Sequence, residues 1–248
     1  MTTPPSPRDQ FITIYGRMPV LEALQKRDLD VAKVIIADNA HGRAIDQIVA
    51  EARRREIEVQ YTSPFRIKQL AGNGKQDQGV VADITAPRMA RLSDYLAACG
   101  DRRTTLFLLD GVTNPSNVGM ILRSATAAGI DGVILPRLGS PHVGPLVIKA
   151  SAGVAFEASI LNSPSAAEAA SVLRKRGFTV YGLTATAKRS IFQTDLAPRS
   201  ALVLGGETYG STISPDTRLR IPMRNQVESL NVAVAASIVA FELSRRRG

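Results

Sequence analysis

The stretch that decides the fold runs Ile221-Pro222-Met223-Arg224-Asn225-Gln226-Val227-Glu228-Ser229-Leu230-Asn231. Pro222 cannot donate a ladder hydrogen bond and restricts the residue before it to extended backbone, so Ile221-Pro222-Met223 predicts the end of an apolar strand. Ser229 is a favoured helix N-cap, and no charged residue stands between Ser229 and Phe241. The N-terminus of a buried helix that follows a strand and a polar loop is a candidate ligand site. On this stretch alone, a capped core helix without a ligand is an equal alternative.

The composition is that of an ordinary globular protein, with 248 residues, 44% hydrophobic and 21% charged. The apolar runs are too short to span a bilayer, and the first residues lack the pattern of a signal peptide, so we expect a cytoplasmic protein. The single cysteine, Cys99, excludes an internal disulfide and a cysteine-rich zinc site. With only two histidines, His41 and His142, a histidine-based triad and a histidine-rich metal site are disfavoured.

The chain carries a net charge of +9, and the positive excess is uneven. Residues 11–83 have 11 basic and 10 acidic side chains, whereas residues 105–248 have 15 and 9. A basic surface favours a phosphate-rich partner such as a nucleic acid, although solubility alone is the simpler explanation. The low aromatic content, 5% without tryptophan, disfavours a base-stacking platform for single strands.

The first third of the chain predicts a small α/β domain at residues 11–83. Val31 to Ala37 and Gly79 to Ala82 are apolar strands, and Arg43 to Arg55 carries apolar side chains at helical spacing. Three prolines in the polar residues 1–10 predict a flexible arm. Residues 84–104 are predicted as a linker with a short helix from Leu92 to Ala98.

Residues 105–248 predict a parallel sheet covered by helices on both faces, because strands and helices alternate strictly. Ligands of such sheets bind beyond the carboxyl ends of the strands. The predicted strands are 105–109, 133–135, 157–161, 178–183, 201–204 and 218–221, and the predicted helices are 117–128, 144–150, 165–176 and 229–243.

A second stretch, Asp110 to Ala125, runs from a strand through a turn into a helix. Arg123 is its only charge between Asn117 and Ile130. A lone arginine on an apolar helix is costly unless it meets an anion, so Arg123 is a candidate site residue. The alternative is a structural ion pair with Asp110. Gly119 permits close approach of backbone or ligand.

A third stretch, Leu202 to Gly210, is an apolar strand that ends in Gly205 and Gly206 and is followed by Glu207. The glycines permit a tight turn and contact with a flat ligand. The stretch lacks the G-x-G-x-x-G fingerprint of dinucleotide sites, and Gly72-Asn73-Gly74-Lys75 has the wrong spacing for a nucleoside-triphosphate loop.

In this order, the three stretches strongly resemble the SpoU–TrmH branch of the SPOUT methyltransferases. Residues 11–83 resemble the small N-terminal domain of that family, which is similar to the ribosomal L30e/L7Ae fold. The residues that match the three family motifs are Asn117, Gly119 and Arg123, then Gly205, Glu207 and Gly210, and finally Ile221-Pro222-Met223 with Ser229-Leu230-Asn231-Val232.

The resemblance implies a C-terminal SPOUT domain whose parallel sheet is tied in a deep trefoil knot. It also implies S-adenosylmethionine as the cofactor and a homodimer through the C-terminal helices that completes the site across the interface. We expect no metal, because the sequence lacks a plausible cluster of metal ligands. The residues implied to bind the cofactor are Leu183, Thr184, Gly205, Gly206, Ile221, Met223 and Leu230.

The implied reaction is methylation of a ribose 2′-hydroxyl in structured RNA, and the residues implied to act in it are Arg123, Asn117, Glu207, Ser229 and Asn231. A guanidinium is too basic to be an ordinary general base, so Arg123 would hold the target phosphate and stabilise charge on the 2′-oxygen. Asn117 and Asn231 would position the ribose or Arg123. Glu207 would pair with Arg123 or orient it, and Ser229 would cap the helix and hydrogen-bond nearby.

Among family members, the chain resembles the enzymes that modify a guanosine of 23S rRNA. The alternatives are a tRNA ribose methyltransferase, an antibiotic-resistance rRNA methyltransferase, and a non-catalytic RNA-binding assembly factor. Two residues depart from the family pattern. Asn225 stands where glycine is frequent, and Asp77 stands where histidine is frequent; asparagine tolerates the left-handed backbone that such a glycine would adopt.

Overall fold

The computed structural model describes residues 11–71, 77–206, 211–225 and 227–247. The arm predicted for residues 1–10, and the motif residues Glu207 and Gly210, lie outside the described residues. The chain divides into two compact units, residues 1–87 with 143–145 and residues 88–142 with 146–248. Each unit has its own sheet.

The N-terminal unit is a four-stranded mixed sheet in the order β1-β4-β2-β3. Only β2 and β3 pair in parallel, whereas β4 runs antiparallel to both of its neighbours. Ile67 and Ala71 of α3 pack on Ile35 and Val81 of the sheet, while α1 and α2 pack against each other. The elements are β1 (Phe11–Tyr15), α1 (Arg17–Gln25), β2 (Val31–Ala37), α2 (Arg43–Arg54), β3 (Glu58–Thr62), α3 (Pro64–Ala71) and β4 (Val80–Thr85).

Asp77, one of the two departures from the family pattern, closes the turn that leads into β4. It is 8% exposed, and its carboxylate accepts a hydrogen bond of 2.8 Å from the backbone N–H of Gly79. Gln78 between them has a φ of 51°. The buried carboxylate therefore stabilises a local turn.

The C-terminal unit contains an eight-stranded sheet in the order β10-β12-β9-β11-β6-β7-β8-β5. All its pairings are parallel over the described residues, so the predicted parallel α/β fold is confirmed. The elements are β5 (Ala90–Arg91), α4 (Leu92–Cys99), β6 (Thr104–Asp110), α5 (Pro115–Ala127), β7 (Gly132–Pro136), α6 (Pro145–Ala150), β8 (Ile160–Ser163), α7 (Ala166–Lys175), β9 (Thr179–Leu183), β10 (Arg189–Ser190), β11 (Arg199–Gly205), β12 (Thr217–Arg220) and α8 (Val232–Arg245).

Helices cover this sheet in two layers. Leu106 and Leu108 of β6 lie in one apolar cluster with side chains of α4 and α7. On β6 the side chains alternate between faces, so Phe107 and Leu109 lie on the other face, and both are fully buried. Helices α5 and α8 pack against each other, and each also contacts strands of the sheet.

The sequence predicted residues 84–104 as a linker with a short helix, and residues 88–104 of this segment belong to the second unit. β5 adds an edge strand to the sheet beside β8, and Leu92, Leu96 and Cys99 of α4 are buried in its core. A two-residue strand is too short to leave a pattern in the sequence, so β5 and β10 were not predicted.

Two elements begin in the structure about three residues later than the sequence predicted. β8 starts at Ile160 instead of residue 157, because Val154 to Phe156 form a 3-10 turn just before it. Helix α8 starts at Val232 instead of residue 229. None of the helices in the described part of the chain is long and apolar enough to cross a membrane.

Candidate active site

The strand ends of β6 and β11 bring the second and third stretches into backbone contact. Gly205 pairs with Asp110 at the end of the ladder, and the N–H of Gly206 donates to the carbonyl oxygen of Asp110 at 2.8 Å. A Cβ atom on Gly206 would lie 2.0 Å from the carbonyl oxygen of Gly111. Position 206 therefore requires glycine because the neighbouring backbone fills the space of a side chain.

Gly119 has a similar role inside α5. A Cβ atom at this position would lie 2.5 Å from the carbonyl oxygen of Val147 and 2.6 Å from Cβ of Ala150. The close approach that the sequence predicted at Gly119 is that of the protein's own helix α6. Gly119 thus fixes the packing of α5, the helix that carries Asn117 and Arg123.

A cavity of about 570 Å³ opens at the carboxyl ends of β9, β11 and β12. Its volume is in the range of small-molecule sites. Most of its wall is apolar, and Ser211, Ser229 and Asn231 supply polar side chains. The lining residues are Leu183, Ala185, Leu204, Gly205, Gly206, Ser211, Ile221, Met223, Ser229, Leu230, Asn231, Val232 and Ala235.

Six of the seven residues predicted to bind the cofactor line this cavity, and Thr184 does not. The backbone N–H of Thr184 donates to the carbonyl oxygen of Leu219 at 2.9 Å, and its hydroxyl lies 3.1 Å from that of Thr186. Its role is to continue the pairing beyond β9. The lining residues that the sequence missed are Ala185, Leu204, Ser211, Val232 and Ala235, which are small or apolar side chains without a distinctive pattern.

Asn231 is the N-cap of α8, so the prediction that Ser229 caps this helix is wrong. The Oδ1 atom of Asn231 accepts hydrogen bonds from the N–H groups of Ala233 (2.9 Å) and Val234 (3.3 Å). Asparagine and serine have similar N-cap preferences, so the sequence did not distinguish the two positions. Ser229 lies three residues before the helix and lines the cavity.

Asn231 also connects the cavity to helix α5. Its Nδ2 atom donates to Oδ1 of Asn117 at 3.2 Å, and Asn117 is only 3% exposed. Asn117 and Asn231, which are 114 residues apart in the chain, therefore form one hydrogen-bonded pair. The structure brings together these two predicted site residues, and Ser229 lines the same cavity as Asn231.

Asn231→Asp and Asn231→Ala separate the two roles of this residue. Aspartate keeps an oxygen acceptor for the helix N-terminus but loses the N–H donor to Asn117, whereas alanine loses both. We expect the alanine variant to lose about 1 kcal/mol of unfolding free energy and the aspartate variant to lose little. Both should slow the methyl transfer that the family resemblance implies by about tenfold, the effect of about 1.4 kcal/mol on a rate. Urea unfolding and single-turnover transfer measure the two effects. Normal transfer by the aspartate variant would contradict the positioning role.

Arg123 does not line the cavity. It lies six residues beyond Asn117 on α5, about 9 Å further along the helix axis, and its side chain is exposed. Among the residues that the structure describes, none accepts a hydrogen bond from its guanidinium or pairs with it.

The alternative ion pair between Arg123 and Asp110 is not formed. Asp110 is buried, and its carboxylate accepts hydrogen bonds from Ser211, Thr212 and Ile213 instead. The fifth predicted catalytic residue, Glu207, lies outside the described residues.

Asn225, the other departure from the family pattern, has a φ of 57°. This is the left-handed conformation for which glycine is usually required and which asparagine tolerates. The loop between β12 and α8 thus contains the strained position that the sequence indicated. No cluster of three or more metal-ligating side chains occurs in the described ranges of the chain.

Two family models match the chain. Residues 104–241 match the SpoU rRNA Methylase family, and residues 13–90 match the RNA 2′-O ribose methyltransferase substrate binding model. The first match covers the C-terminal sheet from its β6 strand to within α8.

Similar proteins extend over nearly the whole chain. A 23S rRNA (guanosine-2′-O-)-methyltransferase RlmB from Xylella fastidiosa is 35% identical over 241 residues, which is 94% of this chain and 96% of that protein. The RlmB of Yersinia pestis is 30% identical over 95% of this chain and 98% of its own.

Solved structures agree on the fold. The SpoU methyltransferase AviRb from Streptomyces viridochromogenes, in complex with AdoMet, has a TM-score of 0.66 at 22% identity and covers 96% of this chain and 90% of its own. The AdoMet-bound rRNA methyltransferase from Sinorhizobium meliloti has a TM-score of 0.62 at 23% identity, and the match covers 96% of this chain and 88% of that protein. With a family model over more than half of its length and relatives at 30% identity or more over nearly all of it, the chain belongs to the SpoU rRNA methylase family.

Proposed function

We propose that this protein transfers a methyl group from S-adenosylmethionine to the ribose 2′-hydroxyl of a guanosine in 23S rRNA. One observation carries the proposal: every segment predicted to bind the cofactor contributes residues to the wall of one cavity. The hydrogen-bonded pair of Asn117 and Asn231 lies at the edge of this cavity. The RlmB relatives, which match over nearly their whole length, support the guanosine and 23S rRNA assignments.

The cavity fits S-adenosylmethionine by size and by wall chemistry. Leu183, Ile221, Met223 and Leu230 offer apolar surface for a flat base, and Gly205 leaves backbone close to the ligand. Two neighbours of the same fold carry AdoMet in their solved structures. The cofactor supplies a methyl group on a positively charged sulfur, which is already a good leaving group, so the protein must mainly orient and polarise the 2′-oxygen.

Arg123 would supply that polarisation. Its exposed guanidinium, which has no partner among the described residues, can bind the target phosphate and stabilise negative charge on the 2′-oxygen. Asn117 and Asn231 would hold the ribose, and Ser229 would hydrogen-bond from the same wall of the cavity. We retain Glu207 as the residue that orients Arg123, on the resemblance of its motif alone.

We propose that residues 11–83 form the RNA-selecting domain with an L30e/L7Ae-like fold, that residues 84–104 connect it to the methyltransferase domain at 105–248, and that residues 1–10 are an arm. The substrate-binding model over residues 13–90 supports this assignment. None of the described residues that line the cavity belongs to the N-terminal unit. This unit ends at residue 87, which is therefore the truncation point for a test.

Removal of residues 1–87 should leave cofactor affinity within about threefold, because the whole described cavity wall remains. Methylation of rRNA should fall below detection, since the selecting domain is gone. Calorimetry with S-adenosylmethionine and methylation of intact rRNA measure the two effects. A truncated protein that still modifies the same nucleotide at full rate would contradict the assignment.

We also propose that the C-terminal unit contains the deep trefoil knot implied by its family resemblance. Two observations support it. In the sheet, β12 lies between β9 and β10, whereas β11 lies on the other side of β9. The connection from β11 to β12 must therefore pass over β9. In addition, the C-terminal end of α8 is hydrogen-bonded to the segment that connects β9 to β11. The guanidinium of Arg246 donates to the carbonyl oxygens of Thr194 (2.6 Å) and Ile191 in this segment. A crystal structure whose backbone forms no knot between its two ends would contradict this proposal.

We propose that the protein acts as a homodimer through α8 and the neighbouring helix α5. Val234 is 48% exposed and Phe241 is 53% exposed, and their spacing of seven residues places them on the same face of α8. α5 adds Met120, which is 40% exposed. Large apolar side chains grouped on neighbouring helices are typical of subunit interfaces.

Val234→Arg should convert a dimer into a monomer, because it places a charge in the centre of the proposed interface. Ala236 of the same helix is fully buried within the chain, so a substitution there would test folding instead. Phe192→Arg is a matched control, since Phe192 is 41% exposed and lies outside α5 and α8. Sedimentation at micromolar protein concentration measures the oligomeric state of the wild type and both variants. A monomeric wild type would argue against the dimer.

Ribose-methylation mapping of total RNA, with and without the protein, tests the proposed function. We expect one guanosine of 23S rRNA to lose its 2′-O-methyl group when the protein is absent. A tRNA site instead of an rRNA site, or a change in resistance to a ribosome-binding antibiotic without a housekeeping site, would replace this assignment by the corresponding alternative. Binding of 23S rRNA without any methylation would favour an assembly factor.

A further inference from the structure

The carboxylate of Asp110 is buried at the end of β6, where Asp110 is 5% exposed. It accepts hydrogen bonds from the backbone N–H groups of Thr212 (2.5 Å) and Ile213 (3.2 Å). It also accepts from the hydroxyls of Ser211 (3.0 Å) and Thr212 (3.0 Å). A buried carboxylate is costly unless several donors satisfy it, so this arrangement strongly constrains residues 211–213.

Asp110 also contacts the chain at the end of β11, just before Glu207. The backbone carbonyl oxygen of Asp110 accepts from the N–H of Gly206 at 2.8 Å. Gly206 and Ser211 both line the cavity. One residue of β6 therefore fixes two parts of the cavity wall that come from a different segment of the chain.

We propose that Asp110 is a positioning residue for the cofactor: its carboxylate holds Ser211 and its backbone holds Gly206 in the places that shape the wall of the cavity. The proposal rests on the proposed function, because it assigns the cavity to S-adenosylmethionine. A wall held in its binding geometry before the ligand arrives loses less conformational entropy on binding, and the affinity is correspondingly higher.

Asp110→Asn tests this role with almost no change in shape. The amide keeps one acceptor oxygen but turns an N–H₂ group toward the donors of residues 211–213. We expect faster hydrogen exchange at the amides of Thr212 and Ile213. The Kd for S-adenosylmethionine and the KM for the cofactor should rise at least tenfold, while kcat at saturating cofactor stays within about threefold.

Asp216→Asn is the matched control, because Asp216 makes the same kind of contact away from the cavity. Its carboxylate accepts from the backbone N–H of Val180 at 2.8 Å and from Nε of Arg174 at 2.9 Å. This variant should lose stability without any change in cofactor affinity. A purely structural role for Asp110 predicts that the two variants behave alike.

A second variant covers the case in which Asp110→Asn fails to fold. Ser211→Ala combined with Thr212→Val keeps the carboxylate and its two backbone donors but removes both hydroxyl donors, and it should raise the Kd severalfold in the same direction. Cofactor affinity within twofold of wild type in a folded Asp110→Asn protein, or in the double variant, would overturn the proposal. A wild-type protein that binds no S-adenosylmethionine would instead overturn the proposed function, and hydrogen exchange at residues 212 and 213 would still report whether Asp110 holds them.

Discussion

Arg123→Ala should lose methyl transfer by at least about a hundredfold, the scale of losing one preorganised electrostatic group in an active site. The guanidinium is exposed and has no partner among the described residues, so its removal should leave the melting temperature nearly unchanged. Cofactor affinity should also be preserved, because Arg123 does not line the cavity. Single-turnover transfer, calorimetry and thermal unfolding on the same variant measure the three quantities.

Two further variants make this result specific. Arg123→Lys should also be poor, since an ammonium lacks the planar fork that can hold a phosphate and the ribose oxygen together. Arg176→Ala removes the same charge from the end of α7, on the other face of the sheet, and should transfer normally. A folded Arg123→Ala protein with near-normal single-turnover transfer would rule out the catalytic assignment.

Gly206→Ala should weaken cofactor binding by tenfold to about a hundredfold. The added Cβ would lie 2.0 Å from the carbonyl oxygen of Gly111 and 2.7 Å from its carbonyl carbon. Because backbone atoms cannot turn aside as a flexible side chain can, Gly206 or the turn after β6 must move. Overpacking of this kind typically costs about 1–3 kcal/mol, and here the movement occurs in the wall of the cavity.

The control for Gly206→Ala is Gly177→Ala, in the turn before β9. Gly177 has a φ of 75° and no atom within 4 Å of an added Cβ, so the control carries backbone strain without a clash at the cavity. It should lower stability by about 1 kcal/mol and leave cofactor affinity unchanged. Equal Kd values for wild type and Gly206→Ala would show that the cofactor does not rest on this wall.

Arg123→Ala and Gly206→Ala can be combined to test the proposed dimer. Since Arg123 is exposed on α5 and does not line the cavity of its own chain, we expect it to serve the cavity of the other subunit in the proposed homodimer. A mixed dimer with Arg123→Ala in one chain and Gly206→Ala in the other would then keep one working site. At a cofactor concentration too low to saturate Gly206→Ala, mixing the two variants under exchange conditions should restore transfer, whereas an arginine that acts within its own chain gives no recovery.

The sequence by itself determined the fold class and most of the cavity. Strict alternation of apolar strands and helices predicted the parallel sheet, because strands buried on both faces must be apolar throughout. The glycines at the end of β11 and the segment Ile221-Pro222-Met223, which follows the end of β12 at Arg220, predicted cavity residues. Positions with unusual backbone requirements accept few residue types, so they can be recognised in a sequence. The lone charge of Arg123 was visible for the same reason, as a departure from an apolar helix.

The tertiary structure alone decided which polar groups meet. Asn231 and not Ser229 caps α8, because the helix start depends on where the loop meets the sheet and both residues suit the role. Asp110 pairs with residues 211–213, which are more than 100 positions away, and not with the nearby Arg123. Hydrogen bonds between distant segments follow from the packing of the strands, and a residue type shows only that it can bond, not which partner the fold brings within reach.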